Sequence, residues 1–127
     1  MIATARLNPR EAHKSPAAMQ DAARYMLRLR KAAKSCFGPP VLSEPAWSLM
    51  LALYTADAVR KQLHIGSIAE RADVPRSTAL RWLTKLDRSG FVRLVPDPGD
   101  KRAVRVRMTA GGLEAMQRSF TAARFIS

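Results

Sequence analysis

Hydroxyl and cationic side chains recur at helical spacing between residues 75 and 89. Their shared arc, at about 100° per residue, holds Ser77, Thr78, Arg81, Lys85 and Arg88. Arginine can bind guanine through two hydrogen bonds, and hydroxyls can bind phosphates or base edges. The free N–H groups of a helix start favour a phosphate as well. A surface helix whose charges are merely solvated gives the same pattern, so both interpretations stand at this point.

A second cationic pattern lies in LVPDPGDKRAVRVRMT, residues 94–109. On a strand, Arg105 and Arg107 share one face, while the other face holds Val104, Val106 and Met108. The segment PDPGDK, residues 96–101, predicts a turn between the strands 91–95 and 102–108, with Asp97-Pro98-Gly99-Asp100 as its four turn residues. A ribbon of this kind is half buried and half cationic.

The ends of this ribbon suggest what its cationic half contacts. Lys101 and Arg102 come at or just after the tip, where they can reach a sugar–phosphate backbone or a minor groove, whose negative potential favours arginine. Asp97 and Asp100 would repel phosphate, so we predict that they orient the arginines or hold the turn. A hairpin that only completes a sheet is the alternative interpretation.

The surrounding elements must position these groups. Ser15-Pro16 predicts the start of a helix over 16–37, ended by Gly38-Pro39-Pro40, and a second helix opens at Ser43. This second helix is the predicted core helix, and its apolar residues are Trp47, Leu49, Met50, Leu51, Leu53 and Tyr54.

The second half of the chain continues this pattern. A short strand at 63–65 is followed by a short helix with Ser67 as its N-cap, and then by the helix 75–89, which ends at Gly90. Thr109 is the predicted cap of a last helix. The residues of helix 75–89 predicted to face the core are Ala79, Leu80, Leu83 and Leu86, with Trp82 packing at the edge.

Composition supports a polyanionic partner. The chain has 127 residues, 47% of them hydrophobic, and a net charge of +12, which fits one basic globular domain. A merely basic surface is the simpler alternative. The single cysteine, Cys36, cannot form an intramolecular disulfide, and with His13 and His64 it lacks metal-ligand spacing. We therefore expect neither a metal nor a cofactor.

Targeting signals are not evident in the sequence. The first twenty residues lack the apolar stretch of a signal peptide, and the run AWSLMLALY is far shorter than the ~20 residues of a membrane span. We expect a cytoplasmic, nucleoid-associated protein without a membrane partner. The sequence also lacks a phosphate-binding glycine loop and a paired nucleophile and base, so we do not expect an enzyme.

Taken together, the sequence resembles the MarR-type winged helix-turn-helix transcriptional regulators. The resemblance rests on IAERADVPRSTALRWLTKLDRSGFV (68–92) and DPGDKRAVRVRMTAGG (97–112), and it extends back to Glu44. It implies a mainly α fold with a small β-hairpin wing, in the order α-α-β-α-α-β-β-α. It also implies a sequence-specific regulator of double-stranded DNA, with helix 75–89 in the major groove and the wing (residues 96–105) on the backbone or minor groove.

The resemblance carries the recognition-helix contacts over to Ser77, Thr78, Arg81 and Lys85, and the wing contacts to Lys101 and Arg102. Arg76 and Arg105 complete the candidate DNA contacts. From the sequence we also expect a flexible basic arm over residues 1–15 before one winged-helix domain, 16–127. This domain divides into a dimerisation or packing helix (16–37), a DNA-binding lobe (43–109) and a short C-terminal helix (110–127).

Two departures from the family bear on DNA contact and dimerisation. Gly99 stands where many relatives have an arginine, so the expected minor-groove contact is either weaker or shifted to Lys101. Only about fifteen residues follow the wing, so the implied homodimer rests on the first helix or is weak. The first-helix residues expected at this interface are Tyr25, Met26, Leu29 and Phe37. The short C-terminus also makes a large effector pocket unexpected.

Several alternatives remain open at this stage. The basic first helix can be a dimer arm, a second DNA contact or a membrane-surface helix, and we favour the first. Cys36 can be a redox sensor, although a small buried hydrophobe is the commoner role. For the whole chain, a winged-helix module that docks an acidic protein and a non-specific or architectural DNA binder are the alternatives to a sequence-specific regulator.

Overall fold

The helices and strands follow one another in the predicted order. The computed structural model describes residues 15–38 and 43–125, with the side chains of residues 101, 102 and 125 excluded. Its elements are α1 (Pro16–Phe37), α2 (Glu44–Thr55), β1 (Leu63–His64), α3 (Ile65–Ala72), α4 (Arg76–Arg88), β2 (Val92–Asp97), β3 (Asp100–Met108) and α5 (Ala110–Phe125). The predicted arm, apart from Ser15, and residues 126–127 lie outside the described residues.

Helix α1 has the predicted bounds. Pro16 occupies its first turn, where a missing N–H costs nothing, and the Ser15 carbonyl accepts from the N–H of Ala18. The Ser15 hydroxyl makes no cap hydrogen bond, so the serine contributes through its backbone. At the other end, Gly38 has φ 92° and its N–H donates to the Lys34 carbonyl at 2.9 Å. Glycine adopts a positive φ without the steric cost of a Cβ, so Gly38 is suited to end the helix.

Helix α2 is the core helix that the sequence predicts. Ser43 caps it, because its hydroxyl accepts from the Ala46 N–H at 3.4 Å. Trp47, Met50 and Leu53 are buried among residues of the central core. Tyr54 lies at the edge instead, where its ring is 5.2 Å from that of Phe120 on α5.

Two predictions around residue 65 were wrong. Strand β1 ends at His64, and helix α3 begins at once with Ile65, so His64 and not Ser67 is the N-cap residue. Starting the helix at Ile65 places Ile65 and Ile68 one turn apart, and both are buried. The burial of this pair outweighs the hydroxyl cap that Ser67 would provide.

The sheet has the strand order β1-β3-β2, and both pairings are antiparallel. The hairpin turn is shorter than the predicted segment 96–101, because Asp97 still pairs with Asp100. An Asp97 carboxylate oxygen accepts from the Gly99 N–H at 2.9 Å, which closes the turn within two residues. Val106 and Met108 are buried on the predicted inner face of β3.

An aromatic cluster joins the first helix to the sheet. The ring of Phe37 lies 4.7 Å from that of Phe91 and 6.4 Å from that of Trp47, in edge-to-face arrangements. Phe37 is therefore buried within its own chain, and its expected place in a dimer interface was wrong. Helix α1 also packs along α5, where the Arg28 Nε donates to the Ala123 carbonyl at 3.0 Å.

Among the residues that the structure describes, no helix combines the length and the apolar character that crossing a membrane would take.

Candidate nucleic-acid interface

A tight link between α3 and α4 sets the position of the candidate recognition helix. Asp73 has φ 56°, a left-handed conformation that aspartate tolerates better than most residues. The N–H of Val74 donates to the Ala69 carbonyl at 3.0 Å, and the Pro75 carbonyl accepts from the Ala79 N–H at 2.9 Å. Helix α4 thus begins one residue after the predicted start and ends one residue before the predicted end.

Helix α4 presents a polar, cationic face to solvent. Its buried residues Ala79, Leu83 and Leu86 face the core at i, i+4 and i+7. Arg81 and Lys85 are exposed on the other side, as the helical spacing predicts. The remaining candidates on the helix, Arg76, Ser77 and Thr78, lie in its first turn, and only Thr78 is half-buried.

Leu80 does not face the core, contrary to prediction. Its exposed fraction is 44%, whereas Ala79 and Leu83 are fully buried. The core contacts only the narrow arc through Ala79, Leu83 and Leu86, and Leu80 lies about 100° from Ala79 around the helix. Leu80 lies instead beside a groove of about 380 Å³ that Val104 of β3 also lines.

Trp82 holds two of the candidate cations near one another. The Lys85 Nζ lies 4.2 Å from the centre of the indole ring, and the Arg81 guanidinium carbon lies 5.6 Å from it. Both distances are within the range of a cation–π contact. The ring also packs against the core, as predicted for a tryptophan at the edge of the helix. Trp82 therefore joins the cationic face to the core.

Asp87 connects α4 to the wing, and sequence reasoning missed this role. One of its carboxylate oxygens accepts from Arg93 at 3.3 Å, and the other accepts from the Leu94 N–H at 3.4 Å. Gly90 has φ 85°, as expected for the predicted residue after the helix end. An aspartate one turn before such a glycine was the available signal, but its partners belong to the next strand.

In the wing, Asp97 both closes the turn and binds an arginine. The Arg105 Nη2 donates to the second carboxylate oxygen of Asp97 at 3.1 Å. The pKa of Asp97 is below its ordinary value, first because of the Gly99 N–H and then because of Arg105. The two roles predicted for the wing aspartates, orienting an arginine and holding the turn, are both confirmed for Asp97.

The three candidate wing contacts differ in what the structure describes. Arg105 is partly exposed, with the ion pair to Asp97 fixing its guanidinium. Lys101 and Arg102 lie on β3 directly after the turn, and their side chains are outside the described set. Strand β3 therefore brings all three positions to the same hairpin.

The start of α5 fixes the base of the wing. The Thr109 hydroxyl accepts from the Gly112 N–H at 3.0 Å, which confirms the predicted cap, and it donates to the Gly90 carbonyl at 2.6 Å. A Cβ on Gly112 would lie only 2.1 Å from the Phe91 carbonyl oxygen. The recognition helix, the wing and α5 thus meet at one tightly packed joint.

Most of the basic residues of α1 have partners within the chain. Arg28 binds the Ala123 carbonyl, Arg24 pairs with Asp21 at 2.9 Å, and Arg30 pairs with Glu44 of α2. Lys31 and Lys34 are exposed. Because Arg28 and Arg30 bind groups on other helices of the same chain, the arrangement favours a packing role for α1.

Cys36 is half-buried and packs against the core, as expected for a small apolar side chain. It is the last residue but one of α1, directly before the buried Phe37. Redox sensing by this thiol stays the untested alternative.

The sequence model of the MarR family matches residues 42–104, which include the helix-turn-helix and most of the wing. The chain belongs to the MarR family. MarR-family proteins are DNA-binding transcriptional regulators rather than enzymes, and this class of function follows for the chain. No curated protein sequence gives a match.

Solved structures of MarR-family regulators have the same fold. A MarR-family regulator from Silicibacter pomeroyi is 27% identical, covers 85% of this chain and 70% of its own, and has a TM-score of 0.57. MepR from S. aureus in complex with DNA is 19% identical, covers 84% and 82%, and has a TM-score of 0.62. A mutant of MarR from E. coli bound to operator DNA is also 19% identical, covers 84% and 73%, and has a TM-score of 0.57.

Proposed function

We propose that the chain is a sequence-specific regulator that reads double-stranded DNA with α4 in the major groove. The observation that carries the proposal is the exposed cationic face of α4, with Arg81 and Lys85 beside Trp82. Arginine, lysine and hydroxyl groups at the start of such a helix suit base edges and phosphates. The DNA complexes of MepR and of E. coli MarR, which have the same fold, support this use of the family's architecture.

The proposed DNA contacts fall into two groups, those made by α4 and those made by the wing. Arg81, Lys85 and Ser77 are exposed along α4, and we assign them to bases and nearby phosphates. Arg76 and Thr78 belong to its first turn and complete this group. The wing residues Lys101, Arg102 and Arg105 contact the sugar–phosphate backbone or the minor groove, with Asp97 fixing Arg105.

The regulator acts as a homodimer, which is typical of the family. The division proposed for the chain is a basic arm (1–15), a dimerisation helix (16–37), a DNA-binding lobe (43–109) and a C-terminal helix (110–127). Support comes from two exposed apolar side chains on α1, Met26 and Leu27, which are 67% and 70% exposed. A two-fold dimer would place two α4 helices about one DNA turn apart.

Selection from a pool of random DNA duplexes at near-physiological salt tests the proposal. A two-fold-symmetric motif with half-sites about 10 base pairs apart is expected. Retention of DNA without an enriched motif would identify a non-specific binder instead. Absence of DNA binding, together with binding to an acidic protein, would identify a docking module.

Two variants then separate base reading from backbone contact. Arg81→Ala should cost ~1–3 kcal/mol of binding free energy, mainly on the selected motif, because a base contact is lost. Arg102→Ala should weaken binding to selected and random duplexes alike, because a phosphate contact is independent of sequence. Equal losses on both duplexes for Arg81→Ala would contradict its role in base reading.

A further inference from the structure

Helix α4 carries an exposed leucine amid its polar groups. Among the large apolar side chains that are exposed in the described part of the chain, Leu80 is the one that lies on α4. The others belong to α1, to the end of α2 or to the turn after α2. An exposed leucine next to Arg81 therefore needs an explanation that the polar contacts of the helix do not supply.

Leu80 is not a core residue, although Ala79 and Leu83 on the same helix are. It is absent from the buried core and from the half-buried apolar residues packed against that core. The groove beside it is lined by Leu80 itself and by Ile65, Val104, Arg76 and Ser77. A lining that combines apolar side chains with hydroxyl and guanidinium groups suits a ligand that is mostly polar but carries one apolar group.

A major groove offers one apolar group of this kind. Guanine, cytosine and adenine present hydrogen-bond donors and acceptors there, and thymine alone adds a C5-methyl group. We propose that Leu80 is a specificity-determining residue that contacts the methyl group of one thymine in each half-site. This inference rests on the proposed function, since it needs α4 in the major groove.

The hydrogen bonding of the next turn is consistent with this assignment. The Thr84 hydroxyl donates to the Leu80 carbonyl at 2.7 Å. The hydroxyl proton of Thr84 is therefore already in a hydrogen bond within the helix. Ser77, one turn before Leu80, remains exposed and able to bond a base edge or phosphate. Leu80 thus adds methyl recognition to a surface whose other exposed groups recognise polar atoms.

Replacing thymine by uracil removes only the methyl group and tests the inference directly. Duplexes of the selected motif would be made with each thymine changed in turn to deoxyuridine. Binding would be measured with the wild-type chain, Leu80→Ala and Val59→Ala. Val59 is a suitable control because it is apolar, 38% exposed and outside α4 and the wing.

The expected result is loss at one thymine per half-site. Wild-type binding should weaken about fourfold there, the factor for burying one methyl group. Leu80→Ala should bind the thymine and uracil duplexes equally, while Val59→Ala should retain the fourfold difference. Thermal unfolding of each variant would confirm that its fold is intact.

Three results would overturn the inference. If every uracil duplex binds the wild-type chain as well as its thymine parent, Leu80 reads no methyl group, although the proposed function stands. If the fourfold difference persists in Leu80→Ala, another side chain makes the contact. If selection enriches no motif at all, the proposed function and this inference fail together.

Discussion

Trp82 connects two cations on the surface of α4 to the hydrophobic core. Its ring packs against the core and also lies within cation–π distance of Arg81 and Lys85. A cation held over a ring loses less conformational freedom when it binds a ligand than a free lysine or arginine does. The tryptophan therefore prepares Arg81 and Lys85 for a polyanion before the polyanion arrives.

Trp82→Leu should weaken DNA binding and leave the fold in place. Leucine keeps an apolar side chain against the core but removes the π face, so ~0.5–1 kcal/mol of binding free energy should be lost. Trp82→Phe keeps an aromatic face and should retain most of the affinity. Binding isotherms on the selected motif would measure both variants. Unchanged binding by Trp82→Leu would show that the ring contributes nothing to affinity, and tighter binding would show that the ring competes with DNA for the cations.

Asp97 predicts a pH dependence of wing stability. Its pKa is lowered in the fold by the Gly99 N–H, by Arg105 and by the nearby His64. A lowered pKa means that the carboxylate contributes stability above its ordinary value of about 3.9, and that the contribution is lost as pH falls through the lowered value. Asp97→Asn should therefore be less stable than the wild type at pH 7, with the difference vanishing at strongly acidic pH.

Denaturant unfolding at a series of pH values would measure this effect. The side-chain oxygen of asparagine can still accept from the Gly99 N–H. The variant therefore removes the negative charge beside Arg105 and leaves the turn hydrogen bond in place. A difference between the two proteins that does not change with pH would show that the carboxylate charge is unimportant in the wing.

At the scale of elements, the joint between the wing and α5 has two neighbouring glycines with different surroundings. A Cβ on Gly112 would lie 2.1 Å from the Phe91 carbonyl oxygen and 2.9 Å from the Met108 side chain. On Gly111 the nearest atom would be 3.5 Å away, which is ordinary contact. The backbone of Phe91 cannot move easily, because its ring packs on Phe37.

Gly112→Ala should therefore destabilise the chain by ~1–3 kcal/mol, the usual cost of overpacking. Gly111→Ala should be neutral or stabilising by up to about 1 kcal/mol, since alanine favours a helix. Urea unfolding of both variants gives the comparison. Equal stability of the two would mean that the joint can open enough to admit a methyl group.

The elements also show where sequence reasoning succeeds and where it stops. The order of the elements, the ends of α1, the start of α5 and, within one residue, the ends of α4 were predictable because local signals decide them, such as Pro16, Gly90 and Thr109. The start of α3, the exposure of Leu80 and the partners of Asp87 were not, because each depends on which neighbouring element covers that side chain. The DNA contacts themselves stay predictions, since they depend on a partner outside the chain.

For the whole molecule, the proposed homodimer predicts an interface on α1. The exposed apolar surface of α1 lies beside a groove of about 580 Å³ that Trp47 and Leu51 of α2 also line. Met26→Glu places a charge at this surface and leaves the packing of the core unchanged, because Met26 is exposed. We expect the wild type to form a dimer and Met26→Glu to be a monomer at the same concentration.

Ser35→Glu is the matched control, because it adds the same charge on an exposed site of α1 about 180° away around the helix. Sedimentation equilibrium would give the masses, and band shifts on the selected motif would give the stoichiometry. Met26→Glu should bind a single half-site with the weaker affinity of one α4 helix, while Ser35→Glu should bind both half-sites as the wild type does. A dimer that survives Met26→Glu but dissociates with Ser35→Glu would place the interface on the opposite face of α1. The distance between the two α4 helices, and with it the spacing of the half-sites, would then differ from one DNA turn.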